Sequence, residues 1–156
     1  MRRHEYVLAL DDSLARPADD PAVRHPTSDD AEALAELMLD AYLHTIDYEG
    51  ETVVEAREEV GRYFAGRPLL ECSWVRLDGD AAVSALLVSH WADRGCPIVS
   101  YVMTASAWKG KGLASDLLAR SLASLAATGL EEVRAVVTEG NLPSEAVFAR
   151  AGFRRV

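Results

Sequence analysis

Lysine is almost missing from this chain. Of its 156 residues only Lys109 and Lys111 are lysines, and arginine supplies the rest of the 16 basic side chains. Against 25 acidic residues this leaves a formal net charge of −9. That excludes a general nucleic-acid binder, which needs a basic face to neutralise phosphates. Cysteine is equally scarce: Cys72 and Cys96 are too few for a disulfide framework or a cysteine metal site, and point to a reducing, cytoplasmic setting. No apolar run approaches the ~20 residues that span a bilayer, so no membrane is expected as a partner. The N-terminus reads Met1-Arg2-Arg3-His4-Glu5, then a short run from Tyr6 to Leu10, then Asp11-Asp12. It lacks the long apolar region and small-residue cleavage site of a signal peptide. There are no internal repeats and no low-complexity tracts. No HExxH, CxxC pair or G-x-S-x-G is present, and no cluster of aspartates suggests a metal site, so neither a metal nor a covalent nucleophile is expected.

What is present fits one domain with one sizeable core. Hydrophobic residues make up 49% and charged residues 26%, the balance of a soluble globular protein. The charge is unevenly spread. Residues 1–60 carry 16 acids and 5 arginines, net −11, while residues 61–156 carry 9 acids and 11 basic residues, net +2. A phosphate-bearing ligand favours the second half and a cationic one the first. The plainer alternative is that acidic residues solvate the N-terminal helices.

Residues 4–10 suit a short strand, and 11–22, with Pro17, Pro21 and four Asp, a linker. Val23 to His25 suits a second short strand. Thr27 or Ser28 then caps a helix with an acidic first turn and an apolar face of Leu34, Leu37, Met38, Ala41 and Tyr42. After a polar loop, Thr52 with Glu55 forms a capping box for a helix burying Ala56, Val60, Tyr63 and Phe64. Three strand-like runs follow, 69–77, 81–91 and 97–104, the first two joined by the hairpin signal Asp78-Gly79-Asp80. A helix over Leu113 to Ala127, a buried strand over Val133 to Thr138, and a last helix opened by Pro143 and ended by Gly152 complete the chain. The order is roughly β-α-α-β-β-β-α-β-α-β, a mixed α/β fold.

Two stretches carry chemistry. In the first, both lysines fall within Trp108-Lys109-Gly110-Lys111-Gly112-Leu113-Ala114, between a strand and a helix start. That layout presents free backbone N–H groups to an anion. It fails the P-loop pattern, having no Gly-Lys-Ser/Thr, and fails the dinucleotide pattern, with Ser115 at the third glycine. A tight turn with solvated lysines is the alternative. The second stretch is Thr138-Glu139-Gly140-Asn141-Leu142-Pro143-Ser144, followed by Val147-Phe148 and Gly152-Phe153.

Together the two stretches resemble the Gcn5-related N-acetyltransferases, the GNAT superfamily. The acetyl-CoA motif of that family, Gln/Arg-x-x-Gly-x-Gly/Ala, is matched by Lys109-x-x-Gly112-x-Ala114. Its later motif is matched by Asn141, Ser144, Val147-Phe148 and Gly152-Phe153. The likeness is specific over about residues 98–155 and rests on element order upstream. It implies a central, mostly antiparallel sheet, splayed between the family's fourth and fifth strands (here 97–104 and 133–138) and flanked by helices. It divides the chain into an N-terminal strand and linker, 1–22, and one GNAT-like domain, 23–156.

The resemblance implies acetyl-CoA as the acetyl donor, with no metal, and an amine as acceptor. Val102, Met103 and Thr104 would bind the pantetheine and thioester through backbone groups. Lys109, Gly110, Lys111, Gly112, Leu113 and Ala114 would take the pyrophosphate. Asn141 would face the thioester, or simply cap the last helix. Phe148 would pack near the sulfur, or simply fill the core. The amine must lose a proton before attack, since an alkyl ammonium has a pKa near ~10. A backbone N–H near Met103 would hold the developing oxyanion.

Glu139, ending the second of these strands, is the preferred base, with an exposed loop carboxylate as the alternative. Glu51 and its neighbour Glu49 would line the acceptor side, bind a cation or act as base. Tyr101 borders the cofactor strand, although simple alternation turns it away from the cleft. His44 and His90 are weaker candidates.

Two departures from the family stand out. Phe148 occupies the place where many members carry a tyrosine acid, which keeps open a second function, a non-catalytic acyl-CoA sensor or interaction module. The family's further C-terminal strand is apparently absent or truncated. The expectation is that residues 5–10 fill the open edge, or that a partner subunit does, in a homodimer.

Overall fold

A computed structural model describes residues 2–156, so Met1 of the expected 1–22 segment lies outside the described residues. Among the described residues, seven strands form one sheet in the order β2-β3-β4-β5-β6-β1-β7. The strands are β1 (Arg3–Ala9), β2 (Val23–Arg24), β3 (Trp74–Asp78), β4 (Ala81–Trp91), β5 (Cys96–Thr104), β6 (Glu132–Thr138) and β7 (Arg154–Arg155). Four α-helices flank it: α1 (Ala31–Tyr42), α2 (Val53–Ala65), α3 (Leu113–Ala127) and α4 (Leu142–Arg150).

The helices lie where periodicity puts them. At α2 the box closes: the Glu55 N–H donates to Thr52 Oγ1 at 3.4 Å and the Thr52 N–H to Glu55 Oε1 at 3.3 Å. Its stripe of Ala56, Val60 and Tyr63 packs with Leu34, Leu37 and Met38 of α1 over Val75, Leu87 and Met103. The opposite face of the sheet carries a second core, in which Leu117, Leu118, Leu122 and Leu125 of α3 and Phe148 of α4 meet Leu86, Val88, Val133 and Val137. Leu86 and Leu87 serve opposite cores because successive strand residues alternate, and both are fully buried. Each such side chain contributes about 1.5–3 kcal/mol through its removal from water.

Two local details depart from the sequence reading, and a third answers to it. The expected strand over 69–77 begins only at Trp74, since Leu70–Cys72 forms a 3-10 turn. Ser73 replaces the missing ladder. Its buried Oγ accepts the Val88 N–H at 2.8 Å, donates to the Leu69 carbonyl at 2.8 Å and meets the Tyr63 hydroxyl at 2.8 Å. Second, β5 carries a bulge opposite Leu87 and Val88: Leu87 pairs with Tyr101 but Val88 pairs with Val99, leaving Ser100 unmatched. Third, β1 pairs with β6 over its whole length, from Arg3 opposite Thr138 to Ala9 opposite Glu132. The N-terminal strand therefore fills the edge left open beside β6. The short C-terminal strand β7 pairs outside it, at Tyr6 and Val7.

β5 and β6 run parallel and pair only at Ile98–Arg134 and Val99–Ala135. Beyond that point they separate, and the gap defines the site.

Candidate active site

A cavity of about 960 Å³ opens where β5 and β6 part, bounded by α1, the loop 43–52, α2 and the start of α4. Its wall includes the carboxylates of Asp47, Glu51, Glu55, Glu58 and Glu59 against the guanidiniums of Arg3, Arg62 and Arg67. The excess of negative charge suits a cationic guest.

The bulge decides which side of the sheet Tyr101 takes. Without it, Tyr101 would share a side with Val99, which lies in the α3–α4 core. The extra residue reverses that parity, so Tyr101 packs on the α1–α2 side and lines the cavity. Its hydroxyl donates to Glu59 Oε1, and Arg62 donates to Glu59 Oε2. Burial, and then the bond to Glu59, push the Tyr101 phenol far above a tyrosine's ordinary value. Burial alone would raise the Glu59 carboxyl, but the bonds from Tyr101 and Arg62 outweigh it and hold it below the usual range. Tyr42 also lines the cavity. Burial first, then the charges of Asp47 and Glu59, raise its phenol as well.

Among the expected cofactor residues, Val102, Asn141 and Phe148 border the cavity. The Ala105 N–H donates to the Val83 carbonyl at 2.8 Å. Alternate residues of an antiparallel ladder face the same neighbour, so Met103 turns its backbone groups to β4, while those of Val102 and Thr104 face the gap. The Met103 carbonyl accepts the Ser84 hydroxyl at 2.9 Å, in keeping with that direction. The oxyanion donor expected near Met103 is thus better supplied by an adjacent peptide. Asn141 caps α4, its Oδ1 accepting the Ser144 N–H at 3.3 Å, and its Nδ2 donates to Asp47 Oδ2 at 2.8 Å. It therefore does two things at once. Phe148 is buried edge-on against Phe153, with ring centroids 5.0 Å apart.

The glycine turn lies outside the cavity wall, at the start of α3. Gly110 and Gly112 have φ of 79° and 78°, and no heavy atom lies within 4 Å of a Cβ built on either. Gly112 is the α3 N-cap, and the first turn after it, Leu113, Ala114 and Ser115, has no intrahelical acceptor for its N–H groups. The Lys111 ammonium lies 5.6 Å from the centre of the Trp108 ring. The Lys109 ammonium is turned elsewhere, onto the Ala41 carbonyl at 2.8 Å.

Among the expected catalytic residues, Glu51 lines the cavity and its Oε2 accepts the Glu49 N–H at 2.9 Å. Glu139 stands outside the cavity wall, exposed, with Oε2 3.6 Å from His4 Nε2. Neither His44 nor His90 lines the cavity. Sequence reasoning missed Asp47, Glu59, Arg62 and Tyr42. The available signal was on α2, where Glu55, Glu59 and Arg62 share a face beside the buried stripe 56, 60 and 63.

A mostly antiparallel sheet splayed between two parallel strands, with a glycine-rich helix start beside the gap, defines the class of fold. The acetyltransferase (GNAT) domain family matches residues 22–154, and the chain belongs to that family. No curated protein sequence matches it significantly. Among solved structures, a GCN5-related N-acetyltransferase from Sphaerobacter thermophilus is similar at 20% identity and a TM-score of 0.69, covering 99% of this chain and 49% of its own. A putative acetyltransferase from Salmonella typhimurium, solved with acetyl-CoA, has 23% identity and a TM-score of 0.67, covering 85% of this chain and 78% of its own. A GNAT family acetyltransferase from Brucella melitensis, in complex with acetyl-CoA, has 18% identity and a TM-score of 0.64, covering 86% and 85%. The chain spans about half the length of the Sphaerobacter protein.

Proposed function

We propose that this protein transfers an acetyl group from acetyl-CoA to the nitrogen of an amine that arrives as a cation. The observation that carries the reading is the cavity at the β5–β6 gap, with five carboxylates in its wall. Two proteins of similar fold are complexed with acetyl-CoA, which supports that donor. In the proposed arrangement, the backbone of Val102 and Thr104 takes the pantetheine arm. The N–H groups of Gly110 to Ala114, with the Lys111 ammonium, take the pyrophosphate at the positive end of α3. Phe148 and Asn141 stand at the thioester.

The ammonium gives up one proton, its nitrogen forms a bond to the acetyl carbon, the C–S bond breaks as the tetrahedral intermediate expels CoA as its thiolate, and the nitrogen loses its second proton to water to leave the neutral amide. Glu51 is assigned as base, through water, because it faces the cavity. Glu139 lies beyond the wall and is not given the role. Tyr101, with its phenol proton held on Glu59, serves as an acceptor of the amine N–H rather than as a base. No tyrosine stands at Phe148, so the thiolate leaves unaided, which an alkyl-thiol pKa of roughly 8.5 permits.

Thiol release from acetyl-CoA with a panel of amines (a polyamine, a lysyl peptide, a free N-terminal peptide) tests the reading. Release with at least one amine, slowed about 10²-fold or more by Glu51→Gln, is expected. Phe148 favours one alternative, a non-catalytic acyl-CoA sensor. That reading predicts thermal stabilisation by CoA with no thiol release from any amine.

A further inference from the structure

We infer that the Lys109 side chain acts on the acceptor loop, tying it to the cofactor loop, and does not bind the cofactor's phosphates. The inference deepens the acetyl-CoA reading and rests on it for the cofactor half.

The last carbonyls of a helix lack intrahelical donors and form its negative end. At α1 no basic residue occupies the last turn. The cation comes instead from the cofactor loop, with Lys109 Nζ 2.8 Å from the Ala41 carbonyl. Two further bonds bind the same segments: the Ser106 N–H donates to Asp40 Oδ2 at 2.8 Å and the Ser106 hydroxyl to the Asp40 carbonyl at 3.1 Å. One of the ammonium's three N–H donors is thereby committed to a carbonyl at the end of α1, which seats the side chain on that helix. Lys111, exposed and only leaning on Trp108, has no such tie. The two lysines of the chain thus divide the work.

What α1 holds next is the acceptor wall. The loop 43–52 springs directly from its C-terminus, where His44 takes the left-handed conformation with φ of 67°. A non-glycine residue keeps that conformation only when its surroundings impose it. The loop carries Asp47, Tyr48 and Glu51 to the cavity. Its far anchor is the 2.8 Å bond from Asn141 to Asp47. The loop is therefore held from both sides by the two segments that resemble acetyl-CoA motifs, through Lys109 and through Asn141. Order imposed on the cofactor loop passes to the acceptor loop, and the reverse follows by linkage.

Hydrogen exchange across residues 43–52, with and without CoA, tests this in Lys109→Met and Asp40→Ala, alongside calorimetric CoA affinity. Both variants should exchange roughly threefold to tenfold faster in that loop without CoA, and CoA should no longer protect it as it does in the parent. Lys109→Met should bind CoA within about threefold of the parent, with unchanged salt dependence. Unaltered exchange over 43–52 in Lys109→Met would overturn the inference. So would a CoA affinity lowered by about tenfold or more with a shallower salt dependence. If the parent chain binds no CoA, the acetyl-CoA reading fails, while exchange in the two variants still decides whether the tie exists.

Discussion

Asn141 Nδ2 donates to Asp47 Oδ2 across 2.8 Å, joining the start of α4 to the loop 43–52 over 94 residues of chain. The same side chain caps α4 through Oδ1. The two duties are separable. Asn141→Ser keeps a capping hydroxyl but cannot reach Asp47, so its thermal midpoint should stay near the parent's while the acceptor KM rises. Asn141→Ala loses both, and should also lose about 0.5–2 kcal/mol of stability. Thermal denaturation beside steady-state kinetics distinguishes them. A parent-like acceptor KM in Asn141→Ser would show that only the cap matters.

Gly112 stands in the left-handed region with open space where a Cβ would sit. Gly112→Ala should therefore cost about 1–2 kcal/mol in backbone strain, with no clash added. Gly112→Glu adds bulk and negative charge where the pyrophosphate is proposed to lie, and should abolish CoA binding. Calorimetry reads both, and unchanged CoA affinity in Gly112→Glu would remove the pyrophosphate assignment.

Tyrosine ionisation sets the alkaline limit. Burial first, against a bond to Ser73, pushes the Tyr63 phenol up to about 12, and Tyr101 and Tyr42 are raised as well. A phenol whose pKa is raised by folding adds stability that is intact below its unfolded value, about 10. That stability is lost as pH rises toward and through the folded value. The thermal midpoint should therefore fall steeply above pH ~10. Tyr101→Phe should flatten that fall, measured by thermal scans between about pH 8 and 12. The same elevation keeps Tyr101 protonated at neutral pH, so activity between about pH 7 and 9 should show no step from it.

Ser73 is fully buried and serves three partners. Ser73→Ala leaves the Val88 N–H without its acceptor and should cost about 1–3 kcal/mol. Urea unfolding measures it. A loss well under 1 kcal/mol would mean that water or Tyr63 takes over the bond.

Where the signal is local, the sequence was informative. The apolar stripes of α1, α2 and α3, the Thr52–Glu55 box, the Asn141 cap and the glycine turn before Leu113 each depend on residues within a few positions, and each stands where its spacing put it. The cavity wall was another matter. Tyr101 was expected to turn away because alternation assumes an unbroken ladder, and nothing in the string Val99-Ser100-Tyr101 announces a bulge. Glu59 resembled one more carboxylate on a solvated helix face until a tyrosine 42 residues away reached it. The bond from Lys109 to a backbone carbonyl was not legible either, because such a partner leaves no mark in composition.

The place of β1 between β6 and β7 carries a cost in time. Arg3–Ala9 is made more than a hundred residues before its partner Glu132–Thr138 and must wait for it before it finds its register. Contacts so remote in sequence are slow to form. Until that closure the β6 edge stays bare and open to the wrong strand. Deletion of Arg3–Ala9 should therefore disturb the closing of the sheet beside the β5–β6 gap, and newly made chains should complete that sheet only once Glu132–Thr138 has emerged.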